Sequence, residues 1–152
     1  MQGLTRTLLA LGIVAFAAAG CGKPASAPEQ ELREWVATGV EAAGDKERRK
    51  LMKMISTSYT DARGNEHDDI DNLLRVYFLR QNSIALLPKI EEITVYDETA
   101  GKILVTVAMA GTNDGVLGFS ADAYRFELEL EKDSDDWQLI SARWGELGDE
   151  LR

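Results

Sequence analysis

The stretch YRFELELE, residues 124–131, decides the class of fold, because its side chains alternate between apolar or aromatic and charged. Tyr124 and Phe126 begin the apolar set, and Arg125 and Glu127 begin the charged set. An alternation with a period of two predicts a β-strand that presents one face to a core and the other to water. Sheets with one solvated face are commonly antiparallel, so this stretch predicts an antiparallel sheet.

Three more stretches predict the remaining strands of a four-stranded sheet. Residues 102–110 are apolar at most positions, which is expected of an interior strand. Residues 111–123 contain three glycines without regular alternation and predict a loop. The predicted strands therefore lie near 90–97, 102–110, 124–132 and 137–144.

The last predicted strand carries two tryptophans of opposite parity. Trp137 shares its parity with Arg143, and Trp144 has the other. If this strand lies inside the sheet, we expect Trp144 to pack on a helix through Trp35 or Val36. Since Trp137 adjoins an aspartate-rich turn, we expect it to contribute less to stability.

The chain before the strands has the spacing of amphipathic helices. Apolar side chains recur there at intervals of three and four residues, which predicts helices near 28–43, 46–55 and 66–81. The order predicts an α+β domain, with three N-terminal helices packed on one face of a four-stranded antiparallel sheet. The third helix is expected to bury five apolar residues, Ile70, Leu73, Leu74, Tyr77 and Phe78.

The N-terminal segment has the pattern of a secretory signal. Arg6 precedes the apolar run LLALGIVAF, and small residues then lead into Cys21, the only cysteine. Cys21 resembles the lipid-modified cysteine of bacterial lipoproteins, and a lone cysteine has no internal disulfide partner. We therefore predict a cleaved lipoprotein signal peptide over residues 1–20, lipidation at Cys21 with a short tether over 21–27, and one domain over 28–152.

Charge restricts the partners of the mature chain. Residues 1–20 carry one basic and no acidic residue, so 16 basic and 26 acidic residues remain, a formal charge of −10. This balance argues against binding to nucleic acid and against electrostatic docking on anionic lipid head groups. We expect contact with a membrane through the N-terminal acyl groups. Because Gly22 rather than Asp follows Cys21, the segment resembles outer-membrane sorting if the organism is Gram-negative, with the domain facing the periplasm. In a Gram-positive organism, the same anchor would lie on the outer face of the only membrane.

Two patterns are similar to the nuclear transport factor 2-like superfamily, which includes SnoaL-like and cystatin-like α+β cones. They are Ser58-Tyr59-Thr60-Asp61 with Gly64, and Tyr124-x-Phe-x-Leu-x-Leu followed by Trp137-x-Leu-x-x-Ala-x-Trp144. The resemblance covers about residues 28–147 and is, more narrowly, a resemblance to small lipid-anchored bacterial members of unassigned function. It implies a curved sheet wrapped around helices, with a pocket at the wide end. The superfamily includes isomerases, dehydratases and binding modules, so fold alone settles no function.

Asp61 and Tyr59 are candidate catalytic residues, because some members of this superfamily place pocket residues after the second helix. Asp61 would act as a general base if the pocket desolvated it. The alternative is a structural aspartate that binds backbone amides in a turn.

Tyr77, Tyr124 and Arg143 are candidate ligand-binding residues. The tyrosines would line a cavity or pack in the core. Arg143 would bind a ligand carboxylate or pair across strands with Glu127 or Glu129.

The sequence predicts no metal site and no cofactor. His67 and Asp71 have the spacing of half a metal site on a helix, but no further ligand clearly completes it.

Three functions stay open. The first is an envelope lipoprotein that binds a small hydrophobic ligand or an envelope protein. The second is an isomerase or dehydratase that uses Asp61 with a tyrosine. The third is an assembly partner that forms a homodimer through its sheet.

Overall fold

The computed structural model describes residues 26–112 and 119–152 of the chain. Three helices precede four strands, and the strands form one antiparallel sheet in the order β1-β2-β3-β4. The predicted α+β class and the order of the elements are confirmed. Cys21 and residues 1–20 lie outside the described residues. The helices are α1 (Ala27–Gly44), α2 (Arg48–Lys53) and α3 (His67–Arg80), and the strands are β1 (Ser83–Val95), β2 (Ala100–Thr112), β3 (Phe119–Asp133) and β4 (Asp136–Glu146).

Two strands run further into the predicted loop over 111–123 than the sequence indicated, and β1 begins seven residues before the predicted position 90. Here alanine fills most positions of two cross-strand rows. One row joins Ala85 to Ala110 and Ala121, and the other joins Leu87 to Ala108 and Ala123. Because alanine fills positions that face away from the core, the apolar and polar alternation that marks a strand is missing there.

The second helix is shorter than its predicted range of 46–55, because the chain after it runs beside β4. The amide of Ser56 donates to the carbonyl oxygen of Leu139 at 2.9 Å, and the amide of Ala62 donates to that of Ala142 at 3.3 Å. These bonds cover the edge of β4, whose groups would otherwise be unpaired.

A β-bulge at Ile140 places Trp137 and Trp144 on the same face of β4. The pairing of β4 with β3 shifts between Glu129 and Leu130, so Ile140 has no partner in the register. An extra residue in one strand reverses the parity of the residues that follow it. The expectation that the two tryptophans face opposite ways was therefore wrong.

The core lies between α1 and one face of the sheet, which we call the inner face. Leu32 of α1 is fully buried with Ile103 and Leu130 of the inner face, and Trp137 is only 7% exposed. The indole N–H of Trp35 donates to the carbonyl oxygen of Trp137 at 3.0 Å. The helix therefore packs on Trp137, whereas we had expected it to pack on Trp144.

A carboxylate from α1 completes the surroundings of Trp137. The indole N–H of Trp137 donates to Oε2 of Glu31 at 2.7 Å. The ammonium group of Lys132 lies 2.7 Å from the same oxygen and 5.2 Å from the indole ring. These contacts fasten the first turns of α1 to the hairpin between β3 and β4.

No residue of α3 is buried, although the structure describes the whole helix. Leu73 is 53% exposed and Tyr77 is 37% exposed, and Ile70, Leu74 and Phe78 are only half-buried. The prediction that α3 buries these five residues was therefore wrong. Ile70 does pack against the core. Polar contacts hold the helix in place, because Arg48 of α2 pairs with Asp71 and the Lys46 ammonium donates to the carbonyl oxygen of Gln81 at 2.9 Å.

Candidate functional site

A groove of about 440 Å³ follows one face of α3. Residues at intervals of three and four share a helix face, so the side chains that line it come from successive turns. Leu73, Val76 and Tyr77 form its centre, and each is more than a third exposed. The remaining lining residues are polar or charged: Asn65, Asp69, Asn72 and Arg80.

Strand β3 carries Asp122 and Tyr124, which do not line this groove. Tyr124 lines a separate cavity with Arg63, Glu146 and Arg152. Asp122 and Tyr124 both have the parity of Leu130, which is buried on the inner face. In the register of the sheet, Tyr124 lies opposite Val107 and Asp122 lies opposite Met109. Glu146 of β4 lies opposite Tyr124 on the same face. Beyond the packed core, the inner face therefore carries the carboxyl groups of Asp122 and Glu146 and the phenol of Tyr124.

The ionisation of Tyr77 responds to two residues of β3. Burial raises the pKa of the Tyr77 phenol, and the negative charge of Asp122 and the neighbouring Tyr124 raise it further. Tyr77 is therefore close enough to β3 for its ionisation to depend on Asp122. At neutral pH the phenol keeps its proton, so it can donate a hydrogen bond.

The pKa of the Tyr124 phenol is also raised. Burial raises the pKa of its phenol most, Asp122 and Glu146 raise it further, and Arg63 acts in the opposite direction. The Tyr124 ring lies 6.3 Å from that of Phe126, tilted by 45°. Asp122 thus raises the pKa of both phenols, and Glu146 raises that of Tyr124 as well.

Arg63 is held by the end of β4. Its Nη2 donates to the carbonyl oxygen of Trp144 at 2.9 Å, and its guanidinium carbon lies 4.4 Å from the centroid of the Trp144 ring. A guanidinium stacked on an indole in this way is stabilised by the ring quadrupole. Arg63 therefore has a structural partner of its own beside the site.

Asp122 is exposed and has no hydrogen bond or ion pair among the residues that the structure describes. Sequence reasoning missed it because it lies in the segment predicted as a loop. The available signal was its spacing of two from Tyr124, which places both side chains on one face if the strand is extended.

The structure brings the candidate catalytic residues Asp61 and Tyr59 together, both buried. The Tyr59 hydroxyl donates to Oδ2 of Asp61 at 3.3 Å, and burial together with Asp61 raises the pKa of that phenol. Oδ1 accepts from the amides of Arg63 at 2.8 Å and Asn65 at 2.9 Å, and Oδ2 also accepts from Nδ2 of Asn65 at 2.8 Å. The four lone-pair positions of the carboxylate are thus occupied. This is the geometry of a structural turn, and catalysis by Asp61 stays a prediction.

Arg143 lies on the outer face of the sheet, away from the groove. Its Nε donates to Oε1 of Glu127 at 3.1 Å, and the two side chains form an ion pair. Arg143 is the main reason why the pKa of Glu127 lies below its ordinary value. Of the two interpretations that the sequence left open, the cross-strand pair with Glu127 is present in the structure.

His67 and Asp71 do not form a pair. Nδ1 of His67 lies 3.3 Å from Oδ1 of Asp68, and Asp71 pairs with Arg48. Within residues 26–112 and 119–152, no three His, Cys, Asp or Glu side chains are grouped as metal ligands. No helix in the same ranges combines the length and apolar character needed to cross a membrane.

Comparison with known proteins gives similarity of fold alone. No family model and no curated protein matches the chain. Among solved structures, a nuclear transport factor 2-like superfamily protein from Salmonella enterica is similar at a TM-score of 0.65 and 14% identity, over 78% of this chain and 90% of that one. A ketosteroid isomerase-like protein from Erwinia carotovora is similar at a TM-score of 0.65 and 10% identity, over 79% of this chain and 96% of that one. A hexachlorocyclohexane dehydrochlorinase is similar at a TM-score of 0.65 and 9% identity, over 81% of this chain and 87% of that one.

Proposed function

Because the chain has the nuclear transport factor 2-like fold, we propose that it is a membrane-anchored bacterial envelope lipoprotein that binds a small, largely apolar ligand. The ligand lies in the groove along α3, which is lined by residues of that helix and by Asn65. The observation that carries this proposal is the exposure of Leu73, Val76 and Tyr77 on one helix face.

The energetic argument rests on that exposure. Removing apolar surface from water contributes about 25 cal/mol per Å². A helix that leaves three large apolar side chains exposed on one face forgoes this stabilisation. A ligand that covers them recovers part of it, and contiguous exposed apolar patches commonly mark binding sites.

The anchor belongs to the same proposal. Cys21 carries the acyl groups, and a tether of six residues reaches at most about 20 Å, so the domain stays near the bilayer. Two or more acyl chains are sufficient for stable anchoring. We place the protein at the outer membrane, facing the periplasm. Acyl labelling in the native host should mark the wild type, whereas Cys21→Ala should be unlabelled and soluble; an unlabelled wild type would contradict the anchor.

Groove binding can be tested on the chain from residue 21 with Cys21→Ala, which keeps every described element of the fold. The probe is N-phenyl-1-naphthylamine, an uncharged dye whose fluorescence increases in apolar sites. Leu73→Glu places a charge inside the groove. Leu79→Glu is the matched control, because Leu79 is on the same helix, is 81% exposed and does not line the groove.

We expect saturable binding of the dye to the wild type and to Leu79→Glu, with at least a tenfold loss of affinity in Leu73→Glu. Absence of saturable binding, or equal losses in the two variants, would contradict a ligand site in the groove. Urea unfolding of both variants checks that the fold is kept.

An isomerase or dehydratase is the alternative function, and the geometry at Asp122 favours it over an enzyme that uses Asp61. An unpaired carboxylate near two protonated phenols supplies a base and hydrogen-bond donors, whereas the Asp61 carboxylate is fully hydrogen-bonded. An enzyme would convert its ligand, so incubation of a bound enolisable ketone followed by mass spectrometry separates the two functions. The homodimer through the outer face is also a proposal, which sedimentation of the unanchored chain would test.

A further inference from the structure

We propose that the groove along α3 is also the interface of a symmetric dimer, in which α3 of a second copy of this chain lies antiparallel across it. The two helices cover each other's exposed apolar side chains. Dimerisation and ligand binding therefore exclude each other. This exclusion rests on the proposed ligand site, whereas the dimer itself does not.

The first argument is the exposure of the apolar side chains of α3. Leu73, Val76 and Tyr77 are each more than a third exposed and line the same groove. No residue of α3 is buried, although the structure describes the whole helix. Amphipathic helices commonly cover such a face with side chains at intervals of three and four residues. Since α3 has this spacing itself, a second copy supplies a suitable helix.

The second argument is the order of the groove residues along α3. In two antiparallel helices related by a two-fold axis, two residues lie at the same level when their numbers have a constant sum, because every residue advances equally along the helix. With the axis between positions 74 and 75, Leu73 lies level with Val76 of the partner subunit. Asn72 lies level with Tyr77 of the partner subunit. Apolar side chains thus meet at the centre of the interface, and polar groups meet beside them.

The third argument is charge. The same axis places Asp69 level with Arg80 of the partner subunit, so an ion pair forms at each end of the interface. Both side chains are exposed and line the groove, and neither has an ion pair in the part of the chain that the structure describes. Oδ2 of Asp69 accepts from the amide of Glu66 at 3.0 Å, which leaves Oδ1 for the guanidinium. A parallel pair of helices would instead bring like charges together, so the charges select the antiparallel arrangement.

The interface is small, so the dimer is weak in solution. Specific interfaces commonly bury about 800 Å² on each partner through about 20–30 residues a side, whereas α3 contributes six side chains to the groove. We expect a dissociation constant on the order of 100 µM. Anchoring of both copies to one membrane, which belongs to the proposed function, raises their local concentration and favours the dimer.

Sedimentation equilibrium of the chain from residue 21 with Cys21→Ala tests the interface, over about 10 µM to 1 mM protein. Salt of about 0.15 M screens the repulsion between the acidic copies. Arg80→Glu places like negative charges at each end of the interface, and Asp69→Lys places like positive charges there. Arg75→Glu and Asp68→Lys are the matched controls, because they change the net charge equally at exposed positions of α3 that do not line the groove.

We expect each of the two reversals to weaken dimerisation at least tenfold and both controls to associate like the wild type. An equimolar mixture of Arg80→Glu and Asp69→Lys should dimerise about as tightly as the wild type, because opposite charges then meet at both ends. Asp69→Lys also removes the hydrogen bond to Glu66, so urea unfolding checks that this variant is folded. Saturating N-phenyl-1-naphthylamine should shift the wild type to monomer.

A wild type that stays monomeric over this range would overturn the dimer. A dimer that both reversals leave unchanged would also overturn it and would indicate another surface, such as the outer face of the sheet. A dimer that persists at saturating dye would overturn the exclusion. Absence of dye binding, with the charge pattern as expected, would contradict the ligand site and leave the dimer standing.

Discussion

Replacing Trp137 by alanine should destabilise the domain more than replacing Trp144, because the bulge at Ile140 leaves the two rings on one face at different depths. The Trp137 ring is 7% exposed and lies beneath α1. Truncating a buried tryptophan to alanine costs about 3–5 kcal/mol. Trp144 is only partly buried and packs at the margin of the core, so its truncation should cost about 1–2 kcal/mol.

Urea unfolding followed by far-ultraviolet circular dichroism measures both costs without depending on tryptophan fluorescence. For a domain of this size the slope is about 2 kcal/mol per molar urea. Trp137→Ala should therefore lower the midpoint by about 2 M, and Trp144→Ala by less than about 1 M. Equal losses, or a larger loss for Trp144→Ala, would refute the assignment of Trp137 to the core and of the bulge to Ile140.

Three further substitutions test the packing and polar contacts. Gly101→Ala should cost about 1–3 kcal/mol, because its Cβ would lie 2.8 Å from Cδ1 of Leu32; Gly39→Ala, whose Cβ meets only the flexible Met54 side chain at 3.4 Å, should not lower the urea midpoint. Asp61→Ala should cost about 2–4 kcal/mol and leave dye binding unchanged, whereas loss of binding at full stability would indicate a direct role in the site. Arg143→Ala should cost at most about 1 kcal/mol at pH 7. Because Arg143 lowers the folded-state pKa of Glu127, this cost should disappear as the pH falls through that pKa, and a cost that persists in acid would refute the ion pair as its cause.

The class of fold could be predicted from the sequence because the strongest patterns are those of its most regular elements. The alternation over residues 124–131 lies within β3, and its charged side chains are on the outer face of the sheet. The spacing of Leu32 and Val36 identified the face of α1 that packs on the sheet. These signals are local, so no tertiary contact was needed to interpret them.

The face of each tryptophan could not be predicted, since a single unpaired residue reverses parity and leaves no mark in composition. The bulge at Ile140 is visible only in the pairing with β3. The place of Asp122 on a strand could not be predicted either. Its strand carries alanines at the outward positions 121 and 123, so the alternation that would have extended β3 toward Asp122 is absent.

The exposure of α3 also could not be predicted. Its apolar residues have the period of a buried stripe, and the sequence does not indicate whether a protein wall or a ligand covers Leu73 and Tyr77. The pairing of Arg48 with Asp71 holds the helix without that burial, and such a contact between distant residues has no periodic signature.

The central claim is that a small apolar ligand occupies the groove along α3. Mapping of backbone amide chemical shifts by NMR, during titration of the unanchored chain with N-phenyl-1-naphthylamine, tests it most directly. The account predicts saturable shifts concentrated at Asn72, Leu73, Val76 and Tyr77, which line the groove, with the outer-face residues Glu127 and Arg143 unchanged. Shifts confined to the outer face, or no saturable shifts at all, would contradict it.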